Sequence, residues 1–143
     1  MVTFRKAWAP EDFRWLRWLD AECFPDDRPF EEAGADWHLG FEGNDAVAYC
    51  AWKRFGEVGG FHYRSGVLEE NRGQGLQKTM LHMRETLMRE KKLLYAYTYT
   101  EAWSAASMRS LISAGYRPYE MRLANLMCRH DRWRQMVYWQ KKL

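Results

Sequence analysis

Hydrophobic and polar positions change period several times along the chain, and each change marks an element. Residues 2–6 predict a short opening strand, and Pro10, allowed in a first helical turn, leads into a helix over 11–23 with Phe13, Leu16 and Cys23 on one stripe. Residues 24–35, FPDDRPFEEAGA, mix turn residues with acid and leave room for one short helix. Strands are expected over 37–41 and 46–55, joined by the turn Gly43-Asn44-Asp45, with a third over 60–67 after a glycine pair. Leu76, Met80, Met83 and Leu87 follow a helical period and predict a helix over 75–90. Residues 93–100, LLYAYTYT, are strongly strand-forming, and 104–114 form a second helix closed by Gly115. Two strands, 116–127 and 134–141, complete the order. That order predicts an α/β (α+β) fold, a mixed and mainly antiparallel sheet of about seven strands flanked by helices.

Composition narrows this to one domain over residues 1–143. The chain is 47% hydrophobic and 16% aromatic, enough for a packed core and too aromatic for a disordered segment. No run approaches a membrane span, and the N-terminus lacks the apolar core of a signal peptide, so a cytoplasmic protein without membrane partners is expected. Cys23, Cys50 and Cys128 form no CxxC pair and read as reduced packing residues, and the four histidines suggest no metal site. The net charge of +3 hides an asymmetry: residues 1–71 hold 8 Lys/Arg against 14 Asp/Glu, and residues 72–143 hold 14 against 5. Two oppositely charged sides of one cleft would account for that division.

Candidate chemistry sits between the third strand of the meander and the following helix, in Val67-Leu-Glu-Glu-Asn-Arg72-Gly73-Gln74-Gly75-Leu76-Gln77-Lys78. A glycine-bearing loop that opens a helix presents unpaired backbone N–H groups at the positive end of the helix dipole, which suits a diphosphate. Arg72 and Lys78 add charge beside it. The spacing excludes the GxxxxGK loop of nucleotide-triphosphate enzymes, and a dinucleotide GxGxxG would need glycine at Lys78.

This segment resembles the signature of the GNAT superfamily of acetyl-CoA-dependent N-acetyltransferases, Gln/Arg-x-x-Gly-x-Gly/Ala, at Arg72, Gly75 and, imperfectly, Gln77. Val67 stands where the strand of that family ends in valine, and Ser104 through Ser107 to Gly115-Tyr116 resembles its second motif, Asn-x-x-Ser/Ala followed by a helix and Gly-Phe/Tyr. The resemblance spans nearly the whole chain. It implies a splayed strand pair that holds the cofactor, with the backbone of Ser65, Gly66 and Val67 pairing with the pantetheine arm. It further implies that the amides of Gly73, Gln74, Gly75, Leu76, Gln77 and Lys78 hold the pyrophosphate of acetyl-CoA, with Arg72 beside them and Ser104 and Ser107 near the arm.

The usual acid and base of that family are missing. Leu111 stands at the position of its thiolate-protonating tyrosine, and Phe61 and Tyr99 stand where different subfamilies keep a glutamate. A thiolate leaves without strong acid help, so the base or a water relay matters more. Strand alternation places Tyr95, Tyr97, Tyr99 and Glu101 on one face, and His62 with Arg64 opposite Phe61, Tyr63 and Ser65. Tyr99 and Tyr63, then Glu101, are the candidate catalytic residues, and His62 reads equally as a sheet histidine.

Residues 11–45 hold 11 Asp/Glu against 3 Lys/Arg, which suits a cationic acceptor: a polyamine, an aminoglycoside, a lysine or a protein N-terminus. The resulting expectation is transfer of an acetyl group to a primary amine by direct attack in a ternary complex. A second class is a catalytically weak binding module for a protein or nucleic-acid partner. It draws on the basic stretch Arg129, Arg132, Arg134, Lys141 and Lys142, although nucleic acid is disfavoured because closing strands are often basic without it. Tyr138 and Trp139 on the last strand would permit a sheet-edge homodimer as readily as a monomer.

Overall fold

The computed structural model describes residues 1–119 and 136–143. In chain order it contains β1 (Val2–Lys6), α1 (Pro10–Cys23), β2 (Asp36–Glu42), β3 (Asp45–Phe55), β4 (Gly59–Val67), a 3-10 turn (Glu69–Asn71), α2 (Leu76–Glu90), β5 (Tyr95–Glu101), α3 (Ala105–Ser113), β6 (Arg117–Pro118) and β7 (Met136–Lys142). The strands form one seven-stranded sheet in the order β1-β2-β3-β4-β5-β7-β6. Every pairing is antiparallel except β4 with β5, which α2 joins as a crossover. The predicted mixed, mainly antiparallel sheet is therefore present.

Local chemistry sets the turns and helix starts. The β2–β3 hairpin closes on two residues, because Glu42 pairs with Asp45 and Gly43 has φ 62°. Asp45 thus belongs to the strand rather than the turn. In α1 the Asp12 carboxylate accepts from the Trp8 and Ala9 amides at 2.9 and 3.1 Å and from Arg5 at 2.6 Å. The Arg5 bond, with those amides, outweighs desolvation and holds its pKa well below the usual carboxylate range. Residues 24–35 contain turns and no helix, which corrects the expected short helix.

α1 lies on one face of the sheet, where Tyr49 and Arg64 both reach Asp20. α2 and α3 lie on the other, where Met88, Met108 and Leu111 pack with Trp52, Ala96, Tyr116 and Trp139. Close approach requires small residues at two points. A Cβ on Gly60 would lie 2.6 Å from the Met88 sulfur, and one on Gly66 would lie 2.6 Å from the Tyr49 ring.

The buried face of α2 is Leu76, Met80, Arg84, Glu85 and Met88, while Met83 and Leu87 are only half-buried. The apolar stripe located the helix and the first half of its inner face, Leu76 and Met80, while Arg84, Glu85 and Met88 complete that face. β7 sits between β5 and β6, and Tyr138 and Trp139 are 8% and 2% exposed. They cannot form the sheet-edge dimer contact expected of them. The remainder of the expected strand 116–127, with Cys128, Arg129, Arg132 and Arg134, lies outside the described residues. Cys23 and Cys50 are free thiols, and burial raises both, Cys50 to about 11. Among the described residues no helix is long and apolar enough to cross a membrane, and no group of His, Cys, Asp and Glu could hold a metal.

Candidate functional site

β4 and β5 pair over three residues each, Gly59, Gly60 and Phe61 with Tyr95, Ala96 and Tyr97. β4 then runs on to Val67 and β5 to Glu101 without pairing to each other, leaving a V-shaped gap. The cause is one extra residue. Trp52 pairs with His62 but Ala51 pairs with Arg64, so Tyr63 is a bulge that bends β4 away.

The bulge also corrects the expected alternation. His62 and Ser65 point to the α2 side, where they meet Tyr116 and Gln77. Tyr63 and Arg64 both point to the α1 side, toward the 24–35 segment and Asp20. Gly66 abuts Tyr49 and Val67 is buried, so residues 65–67 offer the gap a backbone edge.

The wide end of the gap meets the glycine loop. Gly73 and Gly75 have φ 81° and 75°, in the left-handed region that favours glycine. Gly75 is the N-cap of α2 and no side chain caps that terminus. Among the described residues, the N–H groups of residues 73–78 find no backbone acceptor. A Cβ on either glycine would meet nothing within 4 Å, so the amides border open space. Oriented amides at a bare helix start form a ready anion site.

The side chains around this cradle divide their work. Arg72 is exposed, and its Nε donates to the Val67 carbonyl at 3.1 Å, tying the loop to the end of β4. Leu76 packs inward and offers only its amide, while Lys78 is exposed. Gln77 reaches back toward the gap, where its Oε1 accepts from Ser65 Oγ at 3.1 Å. Ser104 begins α3 without capping it through its side chain, and its hydroxyl donates to Ser107 at 3.0 Å.

Aromatic rings form the α1-side wall. Phe61 and Tyr99 stack across the narrow end of the gap at 6.0 Å, and Tyr99 lies 6.4 Å from the Tyr138 ring. Tyr63 packs edge-on to Trp37 and beneath Lys53, and its hydroxyl accepts from the Glu31 amide at 3.0 Å. Tyr63 and Tyr99 therefore stand on facing strands, with Glu101 half-buried at the end of β5. Trp37 and Trp52 are core, whereas Phe24 is partly exposed beneath the Arg64 guanidinium.

Four carboxylates of the acid-rich first half are paired from within that half. Asp12 pairs with Arg5, Asp36 with Lys6, Glu32 with Arg17 and Asp20 with Arg64. The segment offers an acceptor less free negative charge than its composition implies. Asp20 accepts from Tyr49 and from Arg64 Nε and Nη2 at 2.5 and 2.9 Å, a buried knot that the sequence reading did not identify. Its signal was the spacing of Leu16, Leu19, Asp20 and Cys23 on the stripe that faces the sheet.

On the α2 side, His62 contacts Tyr116, Tyr116 contacts Glu85, and Glu85 contacts Lys141. Burial, then the charges of Arg84 and Lys141, holds the His62 pKa well below the usual imidazole value. Burial and then Glu85 push Tyr116 well above the usual phenol value.

No family model and no curated protein matches the chain. Solved structures do match over its whole length. A putative GNAT-family acetyltransferase from Desulfovibrio desulfuricans aligns with a TM-score of 0.80 at 15% identity, covering 99% of each chain. A Bacillus subtilis acetyltransferase in complex with CoA aligns at 0.78 and 11%, covering 100% of this chain and 99% of that one. The PaiA N-acetyltransferase from Thermoplasma acidophilum, in complex with coenzyme A, aligns at 0.76 and 13%, with 100% and 99% covered. The chain has the GNAT fold.

Proposed function

We propose that the protein is an acetyl-CoA-dependent N-acetyltransferase acting on a primary amine by direct attack in a ternary complex. The observation that carries this reading is the continuity of the splayed strand gap with a row of unpartnered amides at a bare helix start. That pairing suits a ligand with a linear amide-containing arm and a diphosphate. The Bacillus subtilis and Thermoplasma acidophilum structures are complexes with CoA, which supports the same assignment.

In this reading the amides of Gly73, Gln74, Gly75, Leu76, Gln77 and Lys78 hold the pyrophosphate, and Arg72 and Lys78 add charge beside it. The backbone of Ser65, Gly66 and Val67 pairs with the pantetheine arm as an added strand would. Ser104 and Ser107 lie on its flank, and Gln77 gives up Ser65 as the arm enters. The acceptor approaches from the α1 side, past Tyr63, Tyr99 and Glu101, whose hydroxyls and carboxylate are the groups placed to orient an amine. The amine must be neutral to attack, so its proton has to leave before or during the transfer.

Free thiol released from acetyl-CoA, measured across a panel of polyamines, aminoglycosides, lysine derivatives and N-terminal peptides, tests the reading. The expected outcome is thiol release that requires both acetyl-CoA and one class of amine. CoA binding without turnover on any amine or peptide would instead favour a binding module.

A further inference from the structure

A second cleft lies on the α1 face of the sheet, apart from the strand gap. Trp15 and Trp18 of α1, Val47 of β3 and Leu68 beyond β4 form its apolar floor, and Glu42, Asp45, Glu70 and Asn71 form its rim. No residue of β4, of β5 or of the 72–78 loop lines it. Its volume is about 500 Å³, which places it among ligand-sized pockets.

The two tryptophans carry the apolar part. Trp15 packs against the core from one side, 44% of Trp18 is exposed, and the rings meet edge to face at 5.7 Å and 75°. Glu11, Trp15, Trp18 and Glu22 recur at i, i+4, i+7 and i+11, so carboxylates bracket the rings along one stripe of α1. Among the described residues no arginine or lysine stands over either ring, whereas Trp8, Phe24, Phe41, Tyr63 and Tyr116 each carry one.

The polar groups left free on the rim are acceptors. The side chains of Asp45 and Glu70 bond to no described residue. Asn71 is 6% exposed and donates from Nδ2 to Glu42 Oε2 at 2.9 Å, which fixes the ends of its amide, and its oxygen accepts from no described residue. Two unpaired carboxylates, a spare amide oxygen and two indole rings converge on one class of guest, a planar and donor-rich cation. Guanidinium meets these demands, since it stacks on aromatic faces and donates to carboxylates in pairs, whereas an ammonium is a compact and strongly hydrated charge.

We propose that this cleft is a docking site for an arginine-bearing segment of a partner protein, with the guanidinium laid on Trp18 and its N–H groups on Asp45 and Glu70. A protein source rather than a free small cation follows from the extent of the surface. Exposed Glu11 and Glu22 continue it along α1 beyond the cleft, and neither makes an ion pair with a described residue. The complementary charge therefore covers more than one side chain. Tryptophan and arginine are also among the residues that dominate binding energy at protein interfaces. The site needs neither CoA nor turnover, so its test is independent of the acyl-transfer reading.

Proton–nitrogen NMR of the ligand-free protein supplies that test, with three probes: the capped peptide acetyl-Gly-Arg-Gly-Arg-Gly-amide, its lysine counterpart, and free arginine amide. The arginine peptide should shift the Trp15 and Trp18 indole signals and the amides of Asp45, Val47 and Asn71, saturating with a Kd below about 1 mM at low salt. The lysine peptide and arginine amide should each bind about 10-fold more weakly. Trp18→Ala should weaken the arginine peptide about 10-fold and Glu70→Gln about 5-fold, both at an unchanged melting temperature. Indole signals that do not move, or variants that bind the peptide as wild type does, overturn the site. Equal binding of the two peptides overturns the guanidinium assignment. Arginine amide binding as tightly as the peptide overturns the partner-protein source.

Discussion

Gly75→Asp is expected to weaken CoA binding by at least about 100-fold while leaving thermal stability within a few degrees of wild type. Aspartate is among the better N-cap residues, and it tolerates a left-handed backbone better than most side chains. At φ 75° the substitution strains the backbone somewhat, but nothing lies within 4 Å of its Cβ, and it sets a carboxylate beside the amides the helix leaves bare. The helix start would carry a negative charge where the anion is proposed to sit. Repulsion between that carboxylate and a diphosphate about 4 Å away is worth about 4 kcal/mol at an effective dielectric of 20. A 100-fold loss needs about 2.7 kcal/mol. Calorimetric titration with CoA, beside a melting curve, reads both outcomes. Unchanged affinity would show that no pyrophosphate uses these amides, and a large fall in melting temperature would make Gly75 a structural residue.

Removing Asp20 is expected to have the largest effect on stability. Asp20→Ala leaves Arg64, whose side chain is 18% exposed, and the fully buried Tyr49 without their shared acceptor. Breaking one side of a buried pair costs about 3–5 kcal/mol, because the remaining charge stays desolvated. Urea denaturation should show that loss at an unchanged m-value. The double variant Asp20→Leu with Arg64→Met removes both charges together and should recover most of it. A loss below about 1 kcal/mol for Asp20→Ala would mean that the knot is solvated and does not hold α1 to the bulge. The consequence is functional as well, since Arg64 is the residue after the bulge and Asp20 anchors the strand where it bends.

The residues that could be read from the sequence are those whose role is local. Alternation and helical period located every described strand and α-helix except for boundaries, but not the 3-10 turn Glu69–Asn71, and the expected short helix in 24–35 failed because turn residues and acids there meet the sheet only through loop contacts. The glycine loop was legible because Gly73, Gly75 and the start of α2 form one contiguous device, and both glycines do take positive φ. What was not legible depends on pairing across the chain. One inserted residue at Tyr63 leaves no trace in composition, yet it opens the gap and reverses the faces of Arg64 and Gly66.

Buried charge was the other blind spot. Hydropathy places Asp12, Asp20, Arg84 and Glu85 on the surface, and each is instead buried with its hydrogen bonds supplied from another segment or from backbone. His62 was noticed, but Tyr116 and Glu85 gain meaning only through contacts across 54 and 31 residues. The charge asymmetry between halves survives in part. The basic half contains the bare helix start proposed to hold the pyrophosphate, whereas in the acidic half four carboxylates pair with its own arginines and lysine.

If one ligand occupies both the helix start and the strand gap, backbone amide NMR during a CoA titration reads it at both places at once. Large shifts are expected at Gly73, Gln74, Gly75, Leu76, Gln77 and Lys78 together with Ser65, Gly66 and Val67, all saturating with one dissociation constant. Shifts absent from these nine amides, or confined to another surface, would contradict it.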